Sequence, residues 1–258
     1  MTASREKRQI SPCYIFLLSC GIALLGGCSG GALGNLIPLP KMLTGAVRHN
    51  VYYAKNDLFS INTPYKQDTS DYTYAKIKER YKDDQAFVAF HTSTLPGENY
   101  NVDVVRLPQG NDNAIDLDTA ADNAIGNIQK MQAAGGREPF VLVGEEPWKA
   151  TYTTGVIRLY TQRVPAADVT TDSKRKFFTA YNLMYVTKGS GRVAVVLADW
   201  VADADDSLLL QKMTVAGADK DPIRKAFSRN ARAWAFINSI KLDVATPAGT
   251  SGQESNRS

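Results

Sequence analysis

The chain has 258 residues, with 30 Lys and Arg against 26 Asp and Glu, and 44% of it is hydrophobic. That length can bury one substantial core, and the nearly balanced charge gives no general basis for binding nucleic acid. Its three cysteines are Cys13, Cys20 and Cys28. Beyond Cys28 the sequence therefore has no residue for a disulfide, a thiolate metal ligand or a thiol nucleophile.

At the N-terminus, Arg5, Lys7 and Arg8 precede an apolar run over residues 14–25, broken by Ser19, Cys20 and Gly21. This is the order of a secretory signal, and the run is shorter than the ~20 residues of a membrane-spanning helix. Leu25-Gly26-Gly27-Cys28 closes it, with two small residues ahead of a cysteine. The stretch resembles the lipobox of bacterial lipoproteins. The resemblance implies cleavage between Gly27 and Cys28, a diacylglyceryl group on Cys28 and acylation of the new amino terminus. Each buried methylene then contributes about 0.8 kcal/mol, and two or more chains anchor stably. The plainer alternative is an ordinary cleaved signal that ends near a cysteine. In Gram-negative lipoproteins an Asp after the lipidated cysteine commonly holds the protein at the inner membrane. Ser29 therefore favours the periplasmic side of the outer membrane if the envelope is of that type. Removing residues 1–27 leaves 27 basic against 25 acidic residues, a net charge of +2.

Residues 28–50 read as a lipidated tether, with Gly30, Gly31, Gly34, Pro38 and Pro40 among apolar residues that pack in part on the following domain or, alternatively, rest on the lipid surface. Strands begin near Val51. Residues 51–54 and 58–61 flank a turn at Lys55-Asn56-Asp57, and residues 72–81 alternate as a half-buried strand does. Asp83-Asp84 turns the chain into residues 86–91, and residues 100–107 form the next strand. Asp116 or Asp118 caps a helix on which Ala121, Ile125, Ile128 and Met131 recur at helical spacing, with Gly135-Gly136 as its exit. Residues 140–143, 148–153 and 156–164 read as strands, with Glu145-Glu146 in a turn. Residues 176–187 and 192–201 are two long strands joined by a hairpin signal at Lys188-Gly189-Ser190-Gly191. The unbroken apolar run 193–198 predicts a central strand covered on both faces. Asp206 caps a short helix over residues 208–213. Asp221 and Pro222 start one closing helix, whose apolar stripe is Ile223, Phe227, Ala231, Trp234, Ile237 and Ile240. Residues 51–244 thus form a single α+β domain, mainly antiparallel sheet with helices packed on its faces. Residues 245–258 are a polar, disordered tail.

Two segments carry a further resemblance. Asp57-Leu58-Phe59-Ser60-Ile61-Asn62-Thr63-Pro64 is similar to the opening strand of the PsbP-like superfamily, and Phe236-Ile237-Asn238-Ser239-Ile240-Lys241-Leu242 to its closing helix and turn. Tyr65 stands where a Trp often follows the proline, and the loops are long. The likeness spans residues 51–242. It implies a PsbP-like sandwich of the kind found in DcrB-type envelope lipoproteins, photosystem accessory proteins and a nuclear-import factor. It implies docking and assembly rather than a shared reaction.

Chemistry-bearing residues are sparse. His49 lies in the tether, and His91 ends a strand next to Thr92 and Ser93, without a nucleophile-elbow motif. Glu145 and Glu146 offer paired carboxylates for acid–base work, or a solvated turn. Asp199, Asp203, Asp205 and Asp206 have the density of a calcium loop, but Leu208 stands where that loop needs Gly and no Glu closes it. Gly189-Ser190-Gly191 lacks the residues of a phosphate loop. The sequence therefore yields no catalytic set, metal site or cofactor. His91, Glu145, Glu146, Asp203 and Asp205 are secondary candidates. The expected function is a lipid-anchored, non-enzymatic envelope module, bound to the membrane through Cys28 and to an envelope protein partner. A carboxylate-using envelope hydrolase and a small-ligand-binding lipoprotein are the alternatives.

Overall fold

β-branched and aromatic residues are frequent in the long strands, and side-chain alternation gives each strand two distinct faces. The structure is a computed structural model that describes residues 43–65, 76–91, 98–108, 115–134, 137–165, 176–201 and 221–242. The signal, Cys28, the tether up to residue 42, Ser93, Asp203, Asp205, the segment 208–213 and the tail 245–258 lie outside the described residues.

The described residues begin with a small three-stranded antiparallel sheet, β1 (Ala46–Arg48), β2 (Val51–Tyr53) and β3 (Ser60–Asn62). β1 falls inside the stretch read as tether, and its Val47 packs against the core. Three further strands follow, β4 (Lys76–Lys82), β5 (Gln85–His91) and β6 (Asn99–Arg106). Helix α1 (Leu117–Ala134) then leads to β7 (Val141–Lys149), β8 (Thr154–Pro165), β9 (Phe177–Gly189) and β10 (Arg192–Val201). These strands make one seven-stranded sheet in the order β4-β5-β6-β10-β9-β8-β7, antiparallel throughout. Two meanders therefore meet where β6 pairs with β10. The β9–β10 hairpin turns on Ser190 and Gly191, both at positive φ (51° and 71°), the backbone a tight two-residue hairpin requires.

Side-chain alternation on β10 sorts the core into two clusters. Val193, Val195 and Leu197 join Ala121, Ala124 and Ile128 of α1. Ala194, Val196, Ala198 and Trp200 join the second cluster, which holds Tyr52 and Ile61 of the small sheet, Phe59 just before β3, and residues of the closing helices. Asp116 starts α1 as expected, its carboxylate accepting from the backbone N–H groups of Asp118 and Thr119.

The single closing helix expected from the sequence is two helices, α2 (Pro222–Arg229) and α3 (Ala231–Asn238). Asn230 breaks it, with φ −132° and ψ 86°. Its side chain accepts from the Ala233 N–H at 3.0 Å, because an Asn oxygen can replace the missing helical acceptor. The break resets the helical phase. Ala231 and Trp234, assigned to the apolar stripe, are exposed, Ile237 and Ile240 are buried as expected, and Ala233 and Phe236 are buried as well. Asn230→Ala is expected to lower stability by about 1 kcal/mol, read as a shift in the urea midpoint. An unchanged midpoint would show that the break does not depend on this cap.

The two segments that carried the second resemblance meet in space. Ser60 and Lys241 exchange two backbone hydrogen bonds of 2.9 Å, and the Asn62 N–H donates to Ser239 Oγ at 2.9 Å. The chain closes on its own beginning.

Candidate functional site

A strand residue on a buried face should be apolar, and several on the α1 face of the sheet are not. His91, Asn99, Asp199, Asn182 and Tyr160 are successive register partners across β5, β6, β10, β9 and β8. Direct cross-strand partners on one face stand about 4.5–5.5 Å apart at Cβ, so these side chains form a continuous polar row. Beside the row lies a recess of about 100 Å³, lined by Asn99, Asn182, Asp199 and Gln162 together with Gln132 and Arg137 from the end of α1 and just beyond it. Gln162 is 4% exposed, and its Nε2 donates to Gln132 Oε1 at 2.5 Å and to the Glu138 carbonyl at 2.7 Å. It thereby ties the chain at the end of α1 to the sheet.

The electrostatics of the row follow from burial. Burial pushes the Asp199 carboxyl up to about 7, and the charge of Arg137 acts in the opposite sense. Burial also lowers the pKa of His91, against the hydrogen bond between its Nδ1 and Asn99 Oδ1 at 3.2 Å. Among the described residues its Nε2 is buried without a hydrogen-bond partner, as is Asn182 Nδ2.

The other secondary candidates separate. Glu145 and Glu146 lie within β7, not in a turn, so they point to opposite faces. Glu145 Oε2 is 2.5 Å from Arg158 Nε. Arg158, 5% exposed, also pairs with Asp122 at 2.6 Å and Asp118 at 3.3 Å on α1. Burial works against its charge, but the bond to Asp122 and the nearby carboxylates prevail and hold the guanidinium above its ordinary pKa. Burial and Asp221 raise the pKa of Glu146, with Arg224 opposing. The paired-carboxylate arrangement is therefore not formed. Arg158→Ala is expected to lose more stability than Arg158→Met, because both remove the cation equally and only methionine keeps the buried stem's packing. Equal urea midpoints would contradict this.

Asp199, grouped by sequence with the acidic loop residues, sits in β10 with its side chain toward α1. Among the described residues no group of His, Asp and Glu is placed to hold a metal ion, and no helix is long and apolar enough to cross a membrane. At the other end of the sheet an open cleft of about 470 Å³ is lined by Lys149, Lys188 and Lys241. Lys188 donates to the Ile115 carbonyl, and Lys241 lies over the Tyr152 ring.

Fold and site together define a mainly antiparallel α+β protein with a small polar recess beneath one helix. No protein-family model matches the chain, and no curated protein sequence matches it. Among solved structures it is similar to cyanobacterial PsbP (CyanoP) from Synechocystis sp. PCC 6803, at 14% identity and TM-score 0.37, covering 85% of this chain and 99% of that one. It is also similar to the Saccharomyces cerevisiae Ran-binding protein Mog1p, at 8% identity and TM-score 0.41, covering 76% and 96%. Likenesses of this degree assign neither a family nor an activity.

Proposed function

We propose that this is a lipid-anchored cell-envelope protein, held at the membrane through Cys28, whose domain docks onto an extended, apolar segment of an envelope partner rather than turning over a substrate. The observation that carries the docking reading is the outer edge of the main sheet. β7 is the terminal strand, and its Val141 and Leu142 are 57% and 51% exposed. Apolar side chains on an unpaired edge favour addition of another strand, since main-chain hydrogen bonds and side-chain burial are gained together. The strand is irregular after Leu142 and contains Pro147, which limits the pairing to its first residues. Glu145 is taken up by Arg158, which favours a docking role over a carboxylate hydrolase.

A photo-activatable residue at position 141, in the membrane-bound protein, tests this. One defined cross-linked product is expected from position 141, with none from the exposed Lys78 on the opposite edge strand. Leu142→Lys, with the photo-activatable residue kept at position 141, should abolish it without changing the urea midpoint. No product, or equal products from both edges, would contradict the docking reading.

A further inference from the structure

The recess in the polar row has unmet chemistry. Asn182 is 7% exposed, lines the recess, and its Nδ2 has no hydrogen-bond partner. A buried donor left unmet is destabilising, so a group that meets it is stabilised there. Asp199 is the direct register partner of Asn182 and supplies an acceptor beside the donor. Val164 and Ala180, 6% and 8% exposed, complete the wall with apolar surface. The space of about 100 Å³ is well above the roughly 10–15 Å³ that a single water needs, so it admits a small organic group.

We propose that this recess binds a primary carboxamide, whose carbonyl oxygen accepts from Asn182 Nδ2, whose adjacent N–H donates to the Asp199 carboxylate, and whose carbon substituent rests on Val164 and Ala180. A primary amide presents acceptor and donor on one edge, matching two side chains that stand side by side on neighbouring strands. An anionic group fits poorly, because burial already disfavours charge on Asp199 and a second negative charge adds to that cost. A cation would sit beside Arg137. Acetamide fills a space of this size, so anything larger that bears the group keeps its remainder at the mouth. The group has two sources, a free small amide or the side chain of an Asn or Gln in a peptide.

Isotope-labelled protein titrated at pH 8, followed by the Asn182 side-chain amide resonances, tests the assignment. Acetamide is expected to give a saturable shift in about the millimolar range, as suits so few atoms. N-methylacetamide, whose N–H points away from its carbonyl, and acetate should each bind at least about ten-fold more weakly. Asp199→Ala should weaken acetamide by a similar factor, read at backbone resonances of the recess. Asn182→Leu, read at the same backbone resonances, should abolish the response, and Asp199→Ala keeps the test open if that variant does not fold. A Gly-Gln-Gly peptide that binds more tightly than acetamide supports a peptide source, and one that binds no more tightly supports a free amide. A shift that never saturates, that N-methylacetamide or acetate matches, or that survives Asp199→Ala overturns the proposal.

Discussion

Phe236→Ala is expected to lower stability by about 3–5 kcal/mol, the range for removing a fully buried aromatic ring. Phe236 is 0% exposed and packs edge-on against Phe90 at 5.6 Å and Tyr100 at 5.2 Å. These rings sit on β5 and β6, whereas Phe236 comes from α3, so the contact closes the end of the chain over the first meander. The β3 edge cannot collapse into the space, because Ser60 is tied to Lys241 by the paired backbone bonds. Phe236→Leu should recover much of the loss, since it restores volume but not ring contacts. An unfolding free energy for Phe236→Ala, from urea titration, within about 1 kcal/mol of wild type would show that α3 is not part of the cooperative core.

The second large effect concerns pH. Asp103 is 1% exposed on β6, in phase with Val105 on the α1 face. Burial raises its pKa to about 8, although hydrogen bonds from Gln85 Nε2 at 2.9 and 3.2 Å pull the other way. In the unfolded chain the carboxyl ionises near its ordinary value. Between that value and about 8 the folded protein keeps a proton that the unfolded chain has lost. Stability contributed by this group is therefore complete at low pH and falls as pH rises, by about 1.4 kcal/mol per pH unit, levelling off above the folded value. Asp199 adds a slope of the same sign that ends near 7. Asp103→Asn, which keeps an acceptor for Gln85, should remove the Asp103 slope and be more stable than wild type at pH 8. Urea midpoints between pH 6 and 9 that run parallel for the two proteins would refute a protonated Asp103.

Much of this architecture is legible in the residues because strand alternation and helix capping are local. The run from Val193 to Ala198, Asp116 before α1, and Ser190-Gly191 in the hairpin each carry their own signal. The errors arose where two local signals competed. Glu145-Glu146-Pro147 reads as a turn, but a terminal strand tolerates proline because one side of its ladder needs no donor. The closing helices read as one because the apolar stripe continues through Asn230, which prefers to cap. The polar row was legible only in part. Asp199 shares the strand phase of Val195 and Leu197, and Asn182 that of Met184 and Val186, so each stands out as polar on an apolar face. That His91, Asn99, Asp199 and Asn182 lie side by side depends on long-range register, which no local pattern encodes.

Intact mass tests the proposed anchor at Cys28 most directly. Protein extracted from membranes with detergent would be measured beside a Cys28→Ser variant. A wild-type mass equal to residues 28–258 plus acyl groups is expected, with no such species from the variant. A wild-type chain that begins elsewhere, or that begins at Cys28 without acyl groups, would contradict it.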